Sequence, residues 1–216
     1  MIEHVYRRAS AARSVDAVLV ATDDDRIARV VDGFGGVAVM TRADHLSGTD
    51  RLAEVAAALD GEIVVNVQGD LPFIPAAPID ETVALVTGRP DLPMGTLRRR
   101  MSDPAEITRP SVVKVVVDAQ GDALYFSRAA IPHVRAGQTP PAFWKHIGLY
   151  VYRRGFLLHL AGLAPTPLER AESLEQLRAL ENGFRIGTVE TTTDTIEIDT
   201  PEDLERGRRL VETVRS

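Results

Sequence analysis

The stretch IVVNVQGDLPFIP, Ile63 to Pro75, decides the fold. It opens as an aliphatic strand for a dry core and ends in Gln68, Gly69 and Asp70, an amide, a hinge and a carboxylate. Before it, SGTDRLAEVAAALD predicts a helix with Leu52, Val55, Ala56 and Leu59 on one face, and VAVMT predicts a strand. Further upstream, Val15 to Ala21 reads as a short buried strand. Thr22 and Asp23 start a helix that Gly33, Gly35 and Gly36 end, and IEHVYRRASAAR reads as an amphipathic helix with Ile2, Val5, Tyr6 and Ala9 in register. Strands alternating with helices at this spacing predict an α/β fold, a mainly parallel central sheet with helices on both faces. In open sheets of that kind ligands gather beyond the carboxyl ends of the strands, which is where Asp70 falls.

After Pro75 the rhythm changes. SVVKVVVDAQGDALYFSR predicts two strands around an Ala119-Gln120-Gly121-Asp122 turn, an antiparallel hairpin, and KHIGLYVYRR predicts another strand. ERAESLEQLRALENG reads as one amphipathic helix closed by Asn182 and Gly183. TPEDLERGRRLVETV reads as a last helix with Thr200 as cap, Pro201 in the first turn and Asp203 completing the start. One domain is expected over 1–216, with a smaller antiparallel hairpin lobe at about 94–150.

With 216 residues and 44% hydrophobic content the chain can bury a substantial core. A net charge of −6 with mixed signs supplies no basic stripe for nucleic acid, and no apolar run approaches a membrane span. A cytoplasmic protein is expected. Without cysteine there is no thiolate chemistry, and the five scattered histidines form no H-x-x-x-H pair, so a metal here would be hard and oxygen-bound.

Three constellations could carry chemistry. VVNVQGD and TIEIDTPEDL each end a β-rich approach in aspartate, at Asp70 and Asp199. Two such carboxylates suit Mg²⁺, although a turn start at Asp70 and support of a helix cap at Asp199 account for the same spacing. MTRADHLSGTDRL sets Arg42, His45, Ser47, Gly48 and Thr49 between a strand end and a helix start. That suits a nucleotide contact through exposed amides, or equally a solvated Arg42 and a plain cap at Ser47 or Thr49. YFSRAAIPHVR and KHIGLY offer Arg128, Arg135, Lys145, His146 and Tyr150, a mixture for a carboxylated polyol or for a basic edge strand in water. Glu175 and Gln176 are expected to face solvent, with Leu174, Leu177 and Leu180 turned to the core.

Taken in order, ATDDDRIARVV, MTRADHLSGTDRLAEV, VNVQGDLPFIP, VVKVVVDAQGDALYFSRAAIP, KHIGLYVYRRGF, TPLERAESLEQLR and IDTPEDLER resemble the 3-deoxy-manno-octulosonate (Kdo) cytidylyltransferases, or CMP-Kdo synthetases, over nearly the whole chain. The resemblance implies a nucleotidyltransferase of Rossmann-like α/β fold that makes CMP-Kdo and pyrophosphate from CTP and Kdo with Mg²⁺, for lipopolysaccharide assembly, and works as a homodimer. It implies that Asp70 and Asp199 hold the metal and serve catalysis, that Arg42, Ser47 and Gln68 hold CTP, and that Arg128, Arg135, His146, Tyr150, Glu175 and Gln176 form the sugar-acid pocket. Another 2-keto sugar acid, an amino-Kdo or a sialic type, stands as an alternative substrate. A catalytically inactive nucleotide-binding paralogue is a further alternative.

Three departures accompany the resemblance. The family opens with a strand and a basic loop that grips the triphosphate, whereas this sequence starts at MIEHVYRRA, the helix that follows them. The expectation is that Met1 is internal to a longer natural chain, or that the segment was not included, and that the sequence as given transfers little or no CMP. Leu71 replaces the glutamate of the family's GDEP, with weaker metal binding expected. TIEID replaces a glycine-rich GVD, so that Glu197 brings bulk and negative charge towards the phosphates.

Overall fold

The computed structural model describes every residue except 46, 194, 196, 199 and 216, and describes residues 201 and 210–215 by their backbone. The first half builds the helix–strand alternation. In α1 (Ile2–Ser10) the helical spacing buries Val5 and Ala9. β1 (Val20–Thr22) is shorter than the apolar run from Val15, because its parallel partner β2 (Ala38–Met40) offers only three ladder positions. Between them α2 (Asp25–Gly33) starts two residues later than expected, with Asp24 rather than Thr22 as its cap: the Asp24 carboxylate accepts the Arg26 N–H at 2.8 Å. Next come α3 (Gly48–Ala57), β3 (Ile63–Val67), α4 (Ala76–Gly88) and β4 (Met94–Met101). The second half holds α5 (Pro104–Thr108), the hairpin β5 (Lys114–Val117) and β6 (Ala123–Ser127), and β7 (Phe143–Arg153). After these follow α6 (Arg154–Ala161), α7 (Pro167–Glu172), α8 (Leu177–Glu181), β8 (Ile186–Thr191) and α9 (Pro201–Arg215).

β7 organises the six-stranded sheet. Along one edge it pairs antiparallel with β4, from Phe143↔Met101 to Tyr152↔Met94, and β4 in turn pairs parallel with β8. Its other edge is shared: β5 takes the start, at Trp144↔Val115, and β3 takes the end, from Leu149↔Val67 to Arg153↔Ile63. The sheet is therefore mixed, with β3, β4 and β8 running one way and β7 the other between β3 and β4. The expected hairpin is present, and it continues this sheet through β5. The span 94–150 thus supplies β4 and most of β7 as well as the hairpin. β1 and β2 make a separate two-stranded sheet, and every residue of β3 is half-buried.

Alternation along β7 sends side chains into two cores. Ile147, Leu149 and Val151 pack with Leu97, Ile79, Val86, Leu71 and Ile74. Tyr152 lies with Met94, Phe126, Val115, Leu157 and Leu177, and Tyr150 packs against that group. α4 rests close on the sheet over two paired glycines, Gly95 and Gly187, where a Cβ would come within 2.9 Å of Val86 and 2.5 Å of Leu92. No helix among the described residues is long and apolar enough to cross a membrane.

Candidate active site

The site is built around β7 because that strand presents His146, Tyr150 and Tyr152 towards one core. His146 is 5% exposed, with Phe126 edge-on at 4.9 Å and Tyr150 at 5.5 Å. Burial, with Lys145 adding repulsion, lowers its pKa to about 3, so the ring is neutral at physiological pH. Tyr150 stacks on Tyr152 with ring centres 5.9 Å apart. Burial raises the pKa of both phenols; Tyr152, Glu175 and Glu197 add to the rise at Tyr150, so its hydroxyl keeps its proton. The charge on Glu197 thus bears on Tyr150. At Gly148 the strand bulges, and Gln68 from the end of β3 lies over it: its Cγ is 3.7 Å from where a Cβ of residue 148 would stand.

Glu175, whose charge bears on Tyr150 and Tyr152, and Gln176 sit at a break, and not on the solvent face of a helix as the periodicity suggested. The expected single helix is two, α7 and α8, separated where Ser173 takes the left-handed conformation, φ 52°. Buried Arg178 clamps the break by two bonds to Glu169, at 2.9 and 2.5 Å. Glu172 accepts from Ser127 Oγ at 2.6 Å and from the Arg128 N–H at 2.9 Å. As a result Gln176 is 4% exposed, and its Nε2 is sealed without a hydrogen-bond partner among the described residues. Glu175 turns to α3, where it accepts from the Gly48 and Thr49 N–H groups at 3.3 and 3.2 Å and from the Thr49 hydroxyl. With Ser47 Oγ accepting the Asp50 N–H at 3.1 Å, the first amides of α3 are occupied from within the chain. Ser47 thus caps α3, and the Gly48 and Thr49 amides serve Glu175.

The remaining residues divide. Arg128 is turned to carbonyls of the break, its Nε donating to Glu172 O at 2.8 Å. Its own carbonyl accepts from the wholly buried Lys114 ammonium. Arg135 is exposed, and no side-chain hydrogen bond or ion pair joins it to the other candidates among the described residues. Arg42 is exposed, 3.5 Å from Glu54, and lines a cavity of about 540 Å³ with Asp44, His45 and Asp50. A second cleft, of about 430 Å³, runs beside Ser47, Leu174, Glu175 and Arg178. Asp70 sits half-buried just past β3, and its carbonyl accepts the Ile198 N–H at 3.0 Å, so the β3 turn is fastened to the segment leading into α9. Asp199, the other expected metal carboxylate, lies outside the described residues. Leu71 is wholly buried among Ile74, Ile79 and Val83, so the position expected to weaken metal binding is a core position here. Thr49 enters the site through a contact distant in sequence, and Arg178 and Glu169 through their pairing across the α7–α8 break. Of these, Thr49 alone stood in a stretch singled out by its residue types.

The description of the cytidylyltransferases fits residues 1–191. A 3-deoxy-manno-octulosonate cytidylyltransferase of Solibacter usitatus is 54% identical over 97% of this chain and 83% of its own length. The chain belongs to that family. A relative with the same name from Syntrophotalea carbinolica is 55% identical, over 95% of this chain and 86% of its own length. Among solved structures, a CMP:2-keto-3-deoxy-manno-octonic acid synthetase complexed with CTP superimposes with a TM-score of 0.93 at 44% identity, covering 98% of this chain and 87% of that one. A cytidylyltransferase of Leptospira borgpetersenii, at 15% identity and a TM-score of 0.61, shares the fold. The α/β nucleotidyltransferase fold read from the sequence is therefore the fold of a family of enzymes.

Proposed function

We propose that this family member transfers CMP from CTP to the anomeric hydroxyl of 3-deoxy-manno-octulosonate, releasing pyrophosphate. The observation that carries the reading is the sealed Gln176 amide, next in sequence to Glu175, whose charge bears on Tyr150 and Tyr152. A buried donor without a partner is unfavourable in the free protein and becomes favourable when a polyol oxygen reaches it. Tyr150, which keeps its proton, supplies a second donor. His146, neutral, supplies a hydrogen-bonding group in place of a charge.

In this reaction the sugar's anomeric oxygen bonds to the α-phosphorus, the bond from that phosphorus to the pyrophosphate oxygen breaks, and the hydroxyl proton is released. Such a transfer needs positioning and charge neutralisation more than covalent catalysis, which suits a chain without cysteine. For the metal, the donor set fits Mg²⁺: Asp70 supplies a hard oxygen ligand at a strand end, and Asp199 follows in sequence the residue whose N–H binds the Asp70 carbonyl. A bound Mg²⁺ supplies Lewis-acid neutralisation of the phosphate oxygens. Asp70 and Asp199 would hold it, Arg42, Ser47 and Gln68 would meet the nucleotide, and Arg128 and Arg135 would complete the acid side of the sugar pocket. The reading includes a homodimer in the cytoplasm, checked by a sedimentation mass of twice 23.5 kDa.

The test is pyrophosphate release from CTP, Mg²⁺ and Kdo, measured on the chain as given and on a version preceded by a relative's strand and basic loop. Release that depends on Kdo from either protein supports the reading. Release from neither, with both folded by circular dichroism, overturns it.

A further inference from the structure

Thr96, in the middle of β4, is wholly buried, and its hydroxyl has three partners on β7: Leu149 O at 2.7 Å, Ile147 O at 3.2 Å and His146 Nε2 at 3.0 Å. A hydroxyl carries one proton, and a carbonyl oxygen carries none. The two oxygen contacts can be attractive only if the Thr96 proton points at them. The contact with nitrogen then needs a proton from the imidazole, so Nε2 is the protonated ring nitrogen and Nδ1 keeps its lone pair.

The bulge makes this possible. Gly148 and Leu149 are extra residues between Ile147, opposite Leu97, and Tyr150, opposite Thr96, and they bring both carbonyls round to one hydroxyl. Phe126 and Tyr150 hold the ring plane. Nδ1 has no hydrogen-bond partner among the described residues. The groups around the ring are Thr96 from β4, Phe126 from β6, and Lys145 and Tyr150 on its own strand. Neither burial nor the Lys145 charge favours an imidazolium.

We infer that Thr96 is a positioning residue that fixes His146 as its Nε2–H tautomer, so that Nδ1 accepts a hydrogen bond from a hydroxyl of the sugar acid. The role of the hydroxyl as ligand rests on the reading of the site proposed above; the tautomer does not. A neutral acceptor selects an O–H and repels a carboxylate, so His146 reads a hydroxyl of the substrate and leaves the acid group to other residues.

The experiment is side-chain ¹H–¹⁵N NMR of the full chain labelled at histidine, with steady-state kinetics alongside. The expected spectrum shows a protonated Nε2 and a pyridine-like Nδ1 at His146, with Nδ1 shifting when Kdo is added. Thr96→Ser keeps that pattern. Thr96→Val loses the single tautomer and raises KM for Kdo by about tenfold or more, with KM for CTP within about twofold of the parent. A proton on Nδ1 in the parent chain overturns the inference, as does a Thr96→Val protein with unchanged tautomer and unchanged KM. If Thr96→Val does not fold, the parent spectrum and Thr96→Ser decide the tautomer. An Nδ1 that ignores Kdo overturns the acceptor role. Loss of the proposed reaction itself is read separately, from pyrophosphate release.

Discussion

An amide sealed from water without a partner destabilises a fold by about 1–3 kcal/mol, and Gln176 Nε2 is in that position. Gln176→Met is therefore expected to raise stability by about 1 kcal/mol in urea melts while raising KM for Kdo by roughly tenfold or more. His146 gives a pH signature of its own. Its folded pKa is about 3 against 6.5 for the free group, so the unfolded chain takes up the proton first as pH falls. Stability is present above pH 6.5 and is lost below it, by about 2 kcal/mol between pH 7 and pH 5. Denaturant midpoints across that range are expected to show this slope in the parent and to lose that share of it in His146→Gln. At the proposed metal carboxylate, Asp70→Asn is expected to lower kcat at least ~100-fold, and excess EDTA to abolish turnover in the parent. Residue types in the sequence pointed to His146, Tyr150 and Asp70. They could not show that Glu175 and Gln176 are turned inward, because the Leu174–Leu177–Leu180 spacing is the same for a continuous helix and for a broken one.

At the scale of elements, that break depends on Ser173 at φ 52°, a conformation that β-branched side chains resist. Ser173→Val is expected to lower stability by about 1–2 kcal/mol and to raise KM for Kdo, since Glu175 and Gln176 are carried on the turn; Ser173→Gly is expected to be neutral or slightly stabilising. Thermal melts and kinetics on the same two proteins check both. The Gly95–Gly187 contact sets the height of α4 over the sheet. Gly187→Ala places a methyl 2.5 Å from Leu92 and is expected to destabilise by about 1–3 kcal/mol in urea melts, with little change in KM. α1, the β5–β6 hairpin, β7 and α9 were legible because apolar period or turn chemistry marks them. α4 has no clear apolar face to read. β1 is shorter than its apolar run because its length is set by a partner strand.

Across the whole molecule, the two sheets differ in how firmly they are held. β4 and β7 lie inside a six-stranded sheet between two cores, while among the described residues β1 and β2 pair only with each other. Amide hydrogen exchange is expected to be slowest in β4 and β7 and far faster in β1 and β2, which open without disturbing either core. The α/β class was legible from the alternation of strands and helices. The antiparallel course of β7 between β3 and β4 was not, because a strand buried on both faces reads the same in either direction. The late position of β7 also governs synthesis on the ribosome. β3 finds its partner only when residues 149–153 emerge, and β4 must wait for the same strand. At translation rates of about 5–20 residues per second, roughly 50 residues of further synthesis leave β4 without its neighbour for about 3–10 s. For that interval the nascent chain depends on whatever shields unpaired strands in the cell.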